Sequence, residues 1–203
     1  MAKDAQEELN EKIYRNLGLF VVAFSGTLHA LESSTVHLIK TGGDGGPEPF
    51  PGSVRSVLIE AAIADRTASP IIASFFSVFF TRWKNQLTKD DVAILKNLRK
   101  ELNGLVEKRN RLMHDAWLTS TVGGDPGPQP MSLSRIRSHG TGVEYCHEKY
   151  GPEEIERLAA DASRLSRVIW ATTWYWRDNQ TGPELHPRVI TRDGVTMVNP
   201  DPL

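Results

Sequence analysis

Apolar residues recur at three- and four-residue spacing over residues 4–40, and no proline interrupts them. This period is typical of an amphipathic helix, so we predict one long helix, or two helices joined near Gly26. Residues 41–52 contain so many glycines and prolines that we predict a loop. A short helix is then expected over residues 53–66, with Ser53 as its N-cap.

Two further helices follow in the middle of the chain. The segment from Ser69 and Pro70 to Trp83 is apolar on nearly every side and has proline at its first position, which predicts a helix that is central and buried or shared with a partner chain. Thr88 and Asp91 have the three-residue spacing of a capping box. We expect the helix that they open to continue to about residue 119.

The period changes after a Gly/Pro-rich stretch at residues 121–130. Residues 131–137 and 142–147 predict a short β-hairpin that turns at residues 138–141. Gly151 and Pro152 then precede an apolar stripe that predicts a last helix ending near Asn179. In the tail, the dipeptide Asp193-Gly194 between two valine-containing runs indicates a small hairpin.

Together these patterns predict an all-α fold. We expect a helical bundle of about five helices, with a small β-hairpin excursion and an otherwise irregular C-terminal tail. A single domain is expected over residues 1–203, with its helical core at about residues 4–119 and 151–179, an insertion at 120–150 and the tail at 180–203. The 39% hydrophobic and 24% charged residues are typical of a chain that folds.

Charge and cysteine content narrow the functional classes. The formal net charge is -1, so a nucleic acid would have to bind a local basic patch rather than the whole surface. A lone cysteine, Cys146, cannot form an intramolecular disulfide, and no cluster has the spacing of zinc ligands. We therefore expect a cytoplasmic protein without metal or cofactor. The acidic N-terminus and the short apolar runs favour neither a secretory signal nor a membrane span.

The strongest candidate for chemistry is the run Arg109-Asn110-x-x-x-His114 near the end of the helix opened by Thr88. On a helical wheel, Arg109 falls in the middle of the apolar face, where an unpaired guanidinium would be costly to bury. That position predicts an anionic partner for Arg109. The apolar face comprises Leu98, Leu102, Leu105, Leu112, Met113 and Ala116.

Asn110 and His114 fall together on a polar shoulder beside this face. An imidazole can exchange a proton near neutral pH, a guanidinium can bind phosphate oxygens through two hydrogen bonds, and an amide can orient a hydroxyl or the imidazole. These groups suffice for phosphoryl-ester chemistry without a metal. The same shoulder carries Lys96, Asn103 and Glu107.

These residues resemble the signature of the HEPN superfamily: an arginine, often followed by asparagine, and a histidine after four to six residues, near the end of a helix in an all-helical bundle. The resemblance implies a metal-independent endoribonuclease in which two protomers bring two copies of the motif to one cleft. It implies that Arg109 contacts the scissile phosphate or stabilises the transition state, that His114 transfers or orients a proton, and that Asn110 supports both. Many members are toxins of toxin–antitoxin systems or defence proteins.

Family members also tend to carry a polar residue from an earlier helix near the motif, and Glu60 or Asp65 could serve here, with Glu107 as a further supporting candidate. A purely structural interpretation competes with this one. Arg109 could form an ion pair with Glu60 or Asp65 that fixes helix packing. His114 could simply bond a neighbour such as Glu107 or Asp115.

Three functions are therefore expected in this order. The first is a homodimeric endoribonuclease with RNA as substrate and an antitoxin or regulatory protein as a possible partner. The second is a non-catalytic helical module that dimerises or binds a regulatory partner. The third is a helical protein that binds a nucleotide phosphate through Arg109.

Overall fold

The computed structural model describes residues 2–40, 67–83, 85–114, 116–118, 131–139, 142–178 and 189–200. Helices dominate them, which confirms the all-α class, and two small antiparallel sheets accompany the helices. The expected helix at 53–66, with Glu60 and Asp65, lies outside the described residues. The elements are α1 (Ala2–Lys40), α2 (Ala68–Trp83), α3 (Lys89–His114), β1 (Ala116–Leu118), β2 (Met131–His139), β3 (Gly142–Tyr150), α4 (Pro152–Asp178), β4 (Val189–Arg192) and β5 (Val195–Val198).

The chain divides by its contacts into two compact units, and the single domain stays a prediction. Unit 1 contains Met1–Phe24 and Glu107–Ala162, and unit 2 contains Ser25–Val106 and Ser163–Leu203. Each unit has buried apolar side chains of its own. In unit 1 they include Ile13, Phe20, Phe24, Leu112, Ile155 and Leu158, and in unit 2 Leu31, Phe75, Phe79, Leu98, Leu102 and Ile169.

Helix α1 is continuous, so of the two alternatives left open by the sequence the single helix is observed. Gly26 lies in its middle without ending it, because the flanking turns bury Phe24 and Leu31 and this packing outweighs the weak helix propensity of glycine.

By length and composition alone, α1 could also cross a bilayer: the segment Ala5–Ile39 contains a window of mean hydropathy 1.2. The core helix of a soluble protein meets the same criterion, and 44% of this window is buried. The absence of a membrane segment therefore stays a prediction.

Helix α2 buries one aromatic-rich face and exposes small residues such as Ala73 and Ser77 on the other. It begins at Ala68, so Pro70 is the third residue rather than the first as expected. Proline is tolerated there because the N–H groups of the first helical turn have no intrahelical partner. The buried face comprises Ile71, Ile72, Phe75, Phe76, Phe79 and Trp83.

The start of α3 confirms the predicted capping box. The Thr88 backbone N–H donates to Asp91 Oδ2 at 2.9 Å, and the Asp91 N–H donates to Thr88 Oγ1 at 3.2 Å. The end of α3 was wrongly predicted, because the helix stops at His114 and not near residue 119. Ala116, expected on the helical face, begins β1, and β1 pairs with β2.

The sheet of unit 1 has the order β1-β2-β3 with antiparallel pairing throughout. It confirms the predicted hairpin and extends it, since Met131 pairs with Tyr150 and His139 with Gly142. Helix α4, which was predicted, follows at once with Pro152 at its first position. Asn16 of α1 donates a hydrogen bond to the Pro152 carbonyl at 2.8 Å, which ties the start of α4 to α1.

The C-terminal hairpin β4–β5 turns at Asp193 and Gly194, as predicted. Their φ angles are 50° and 76°, and two consecutive positive values are what a type I′ turn requires. The outer edge of β5 is bonded at Thr196, whose N–H donates to Glu101 of α3 at 2.8 Å and whose carbonyl accepts from Arg164 of α4.

Candidate functional site

The last two turns of α3 bring together the three residues of the Arg–Asn–His motif. Arg109 Nη1 lies 3.2 Å from the side-chain oxygen of Asn110 and 3.4 Å from Nε2 of His114. Leu105 and Leu112 on the same helix are buried and anchor this part of α3. The guanidinium therefore joins the amide and the imidazole in one polar cluster. The helical spacing predicted that Asn110 and His114 share one side of the helix, but it placed Arg109 on the apolar face.

The surroundings of Arg109 differ from the expectation of a charge in the apolar seam. Its side chain is only partly buried, and the guanidinium reaches the exposed cluster with Asn110 and His114. Arginine can lay its carbon chain along apolar surface and keep its charge in water, which removes the cost that a buried cation would carry. Met113, expected on the apolar face, is likewise 40% exposed.

A ring from α1 supports the guanidinium. The Cζ atom of Arg109 lies 6.0 Å from the centroid of the Phe24 ring, within the range of a cation–π interaction. Phe24 is buried and packs against Phe20 with their centroids 6.0 Å apart. Sequence reasoning missed this contact, because no sequence signal pairs the two residues.

In the part of the chain that the structure describes, no carboxylate lies within ion-pair distance of Arg109. Glu107, the supporting candidate on α3, instead pairs with Arg111 at 2.6 Å. The interpretation of Arg109 as a packing ion pair thus finds no partner among the described side chains. Glu60 and Asp65, the other two candidates, lie outside the described residues.

The contact between Arg109 and His114 constrains the hydrogen on the imidazole. Arginine is only a donor, so Nε2 must offer its lone pair to Nη1, and in the neutral ring Nδ1 then carries the hydrogen. The lone pair of Nε2 on this exposed imidazole is therefore turned toward Nη1. A hydroxyl that approaches beside the guanidinium and displaces Nη1 from Nε2 can then pass its proton to that nitrogen.

Metal ligation has no visible site in the described ranges, which hold no group of three His, Cys, Asp or Glu side chains placed to bind an ion. Nε2 of His29 lies 3.4 Å from the hydroxyl of Ser33 one turn later. That contact gives His29 a local structural role.

Exposed apolar side chains accompany the motif in unit 1. Tyr14 and Val22 of α1 are 60% and 72% exposed, and with Val21 they fall within about 100° of arc on that helix. Leu19 of α1 and Met113 of α3 are also exposed. Apolar side chains grouped on one helix face are typical of a surface that is covered in an assembly.

In comparisons with known proteins, no protein-family model, curated protein or solved structure matches this chain. The functional argument therefore depends on the residues themselves.

Proposed function

We propose that this protein is a metal-independent endoribonuclease of the HEPN type. The observation that carries the proposal is the exposed cluster of Arg109, Asn110 and His114, in which one guanidinium lies within 3.4 Å of both an amide oxygen and an imidazole nitrogen. A cation without a carboxylate partner among the described residues can bind an RNA phosphate. A neighbouring imidazole can serve as general base.

The proposed reaction uses the ribose 2′-hydroxyl of the RNA as nucleophile. His114 Nε2 accepts the hydroxyl proton, the 2′-oxygen bonds to the adjacent phosphorus, and the bond from phosphorus to the 5′-oxygen breaks. The leaving oxygen takes a proton from water, and the imidazolium returns its proton to the resulting hydroxide. The products are a 2′,3′-cyclic phosphate and a 5′-hydroxyl, so neither a metal nor a cofactor is required.

Arg109 and Asn110 have separate roles in this scheme. Arg109 neutralises the two non-bridging oxygens, on which negative charge grows as the fifth bond to phosphorus forms. Asn110 bonds Nη1 through its oxygen and thereby orients the guanidinium. Phe24 lies beneath the guanidinium and is a positioning residue.

The proposal includes a homodimer, as the resemblance implies, in the cytoplasm, as the cysteine content favours. Support comes from the exposed apolar side chains of α1, since Tyr14, Val21 and Val22 would lose their contact with water in an interface. Unit 1 contains both this face and the motif. A toxin or defence role, with an antitoxin or regulatory protein as partner, belongs to the same proposal.

RNA cleavage in EDTA tests the function. Wild-type protein and the Arg109→Ala/His114→Ala variant are purified in parallel and incubated with total RNA, transfer RNA and an RNA of the same sequence carrying 2′-O-methyl groups. We expect the wild type alone to cut the two natural RNAs, to leave cyclic phosphate ends, and to spare the methylated RNA.

Equal inertness of both proteins would overturn the nuclease proposal. If the wild type then also remained a dimer, the non-catalytic binding module would be favoured. Binding of a nucleoside phosphate that is lost in Arg109→Ala would favour the nucleotide-binding alternative. Equal cleavage by both proteins would indicate a contaminating nuclease.

A further inference from the structure

The part of α3 that follows its first turn is far more basic than the chain as a whole. Residues 92–114 contain six Lys or Arg against two Glu, whereas the formal net charge of the protein is -1. A charge count along this helix would have revealed the concentration from sequence, but only the structure shows which of these side chains face solvent. The cations are Lys96, Arg99, Lys100, Lys108, Arg109 and Arg111.

Several exposed side chains of α3 in unit 2 share one side of the helix. At 100° per residue they fall within about 100° of arc, and their spacing follows from the geometry of this single helix. Between the first and the last of them the helix rises about 10 Å. We call this the basic face, and it consists of Lys96, Arg99, Lys100 and Asn103 of unit 2.

The glutamates of α3 leave the cations of the basic face without opposing charge. Glu107 of unit 1 pairs with Arg111 at 2.6 Å. Glu101 lies on another side of the helix and pairs with Arg164 at 2.7 Å. No described carboxylate lies within ion-pair distance of Lys96 or Lys100.

Two of the arginines on α3 are held in the same way. The Cζ atom of Arg99 lies 5.9 Å from the centroid of the buried Phe76 ring, as Arg109 lies over Phe24. A ring beneath the guanidinium limits its motion while leaving its outer side open to an anion. Arg99 is thus a fixed cation on the surface of unit 2.

We propose that the basic face of α3 binds the phosphate backbone of single-stranded RNA. In this proposal Lys96, Arg99 and Lys100 contact phosphates, and the Asn103 amide bonds ribose or phosphate oxygens. The face is one narrow row on one helix, which suits a single strand rather than two. The inference rests on the proposed function, and it assigns substrate binding to side chains outside the motif.

The test measures binding separately from cleavage. The probe is a fluorescein-labelled 2′-O-methyl oligouridine of about 15 nucleotides, a length suited to single-strand sites. Fluorescence anisotropy gives Kd in EDTA at several NaCl concentrations from about 50 to 300 mM. The test variant is Lys96→Gln/Arg99→Gln/Lys100→Gln. The matched control removes three exposed cations outside α3, in Lys12→Gln/Arg157→Gln/Arg167→Gln.

Each phosphate contact with a single strand contributes about 0.7 to the slope of log Kd against log salt, so loss of three contacts should lower that slope by about 2. We expect the test variant to show this change, with a Kd at least about tenfold higher at 50 mM salt. The control should keep the wild-type slope. Circular dichroism and thermal melting are used to check that both variants are folded.

Three results would overturn the proposal that the basic face binds RNA. The first is an equal loss in both variants, which would indicate general electrostatics. The second is a test variant that binds as the wild type does. The third is a variant that binds RNA normally but loses binding to vesicles containing an anionic phospholipid, which would assign the face to a membrane surface.

Cleavage of natural RNA by the wild type distinguishes failure of this inference from failure of the proposed function. If the wild type cleaves RNA and the test variant binds the probe normally, only the proposed role of the basic face is wrong. If the wild type neither cleaves nor binds the probe, both proposals fail.

Discussion

The guanidinium of Arg109 lies over the ring of Phe24, with Cζ 6.0 Å from the ring centroid. The ring comes from α1 and the cation from the last turns of α3, so a core residue of one helix orients a candidate catalytic residue of another. The contact links the packing of unit 1 to the geometry of the motif. Phe24 would thus position the guanidinium, whereas Arg109 would contact the RNA.

Phe24→Leu should reduce RNA cleavage by about two- to fivefold, because a cation–π contact at an exposed site is worth about 0.5–1 kcal/mol. Phe20→Leu is the matched control, since Phe20 is buried in the same aromatic pair. Both variants should lose about 1 kcal/mol of unfolding free energy in urea. A loss of cleavage of equal size in both would contradict a specific role for Phe24.

Arg109→Lys should lower kcat by about 10- to 100-fold, because a lysine keeps the charge but cannot present two parallel donors to phosphate oxygens. Steady-state cleavage of a labelled RNA measures the effect. Arg111→Lys, two residues further along α3, is the control and should retain nearly full activity. Near-normal kcat for Arg109→Lys would show that charge alone suffices.

Glu107→Gln should leave cleavage within about twofold of the wild type and cost at most about 0.5 kcal/mol of stability. Glu107 is mostly exposed and pairs with Arg111 four residues on, and such surface pairs contribute little. Urea unfolding and the RNA cleavage rate check both statements. A tenfold loss of cleavage would restore Glu107 as a supporting catalytic residue.

Val22→Glu should convert the proposed dimer to a monomer, because it places a carboxylate where apolar side chains would be covered. Light scattering after size-exclusion chromatography gives the mass. Val198→Glu on β5 is the control, since Val198 is 41% exposed in the hairpin of unit 2. A wild type that is monomeric at all accessible concentrations would rule out the homodimer.

Glu101→Ala should lower the unfolding free energy by about 2–4 kcal/mol, because Glu101 accepts hydrogen bonds from Asn97, Arg164 and the Thr196 N–H in a mostly buried network. Amide exchange at Thr196 should accelerate. Glu101→Gln keeps an acceptor oxygen and should lose less. An unchanged Thr196 exchange rate in Glu101→Ala would show that the network does not hold the hairpin.

The sequence predicted those features that depend on residues close together in the chain. The capping box of Thr88 and Asp91 requires only a spacing of three residues, and the turn at Asp193-Gly194 requires only two residues that accept positive φ. The shared side of Asn110 and His114 is also local, since residues four apart on a helix are neighbours. These features could be predicted because few other conformations satisfy the same residues.

Tertiary structure decided the rest of the candidate site. The sequence predicted that α3 continues past His114, whereas in the structure Ala116 belongs to β1, which pairs with β2. The sequence also placed Arg109 in the apolar seam and sought a carboxylate for it, whereas the structure places the side chain at the surface over Phe24. Both outcomes depend on partners that are distant in the chain, and periodicity along one helix contains no information about them.

Local hydrogen bonds and helical spacing, then, are determined by the sequence alone, because their partners lie within a few residues of each other. Strand pairing, the depth of a cation and the ring that supports it are decided only when the chain packs, because their free energy comes from contacts between different elements. In this protein the shared side of Asn110 and His114 is of the first kind, and the position of the Arg109 side chain is of the second.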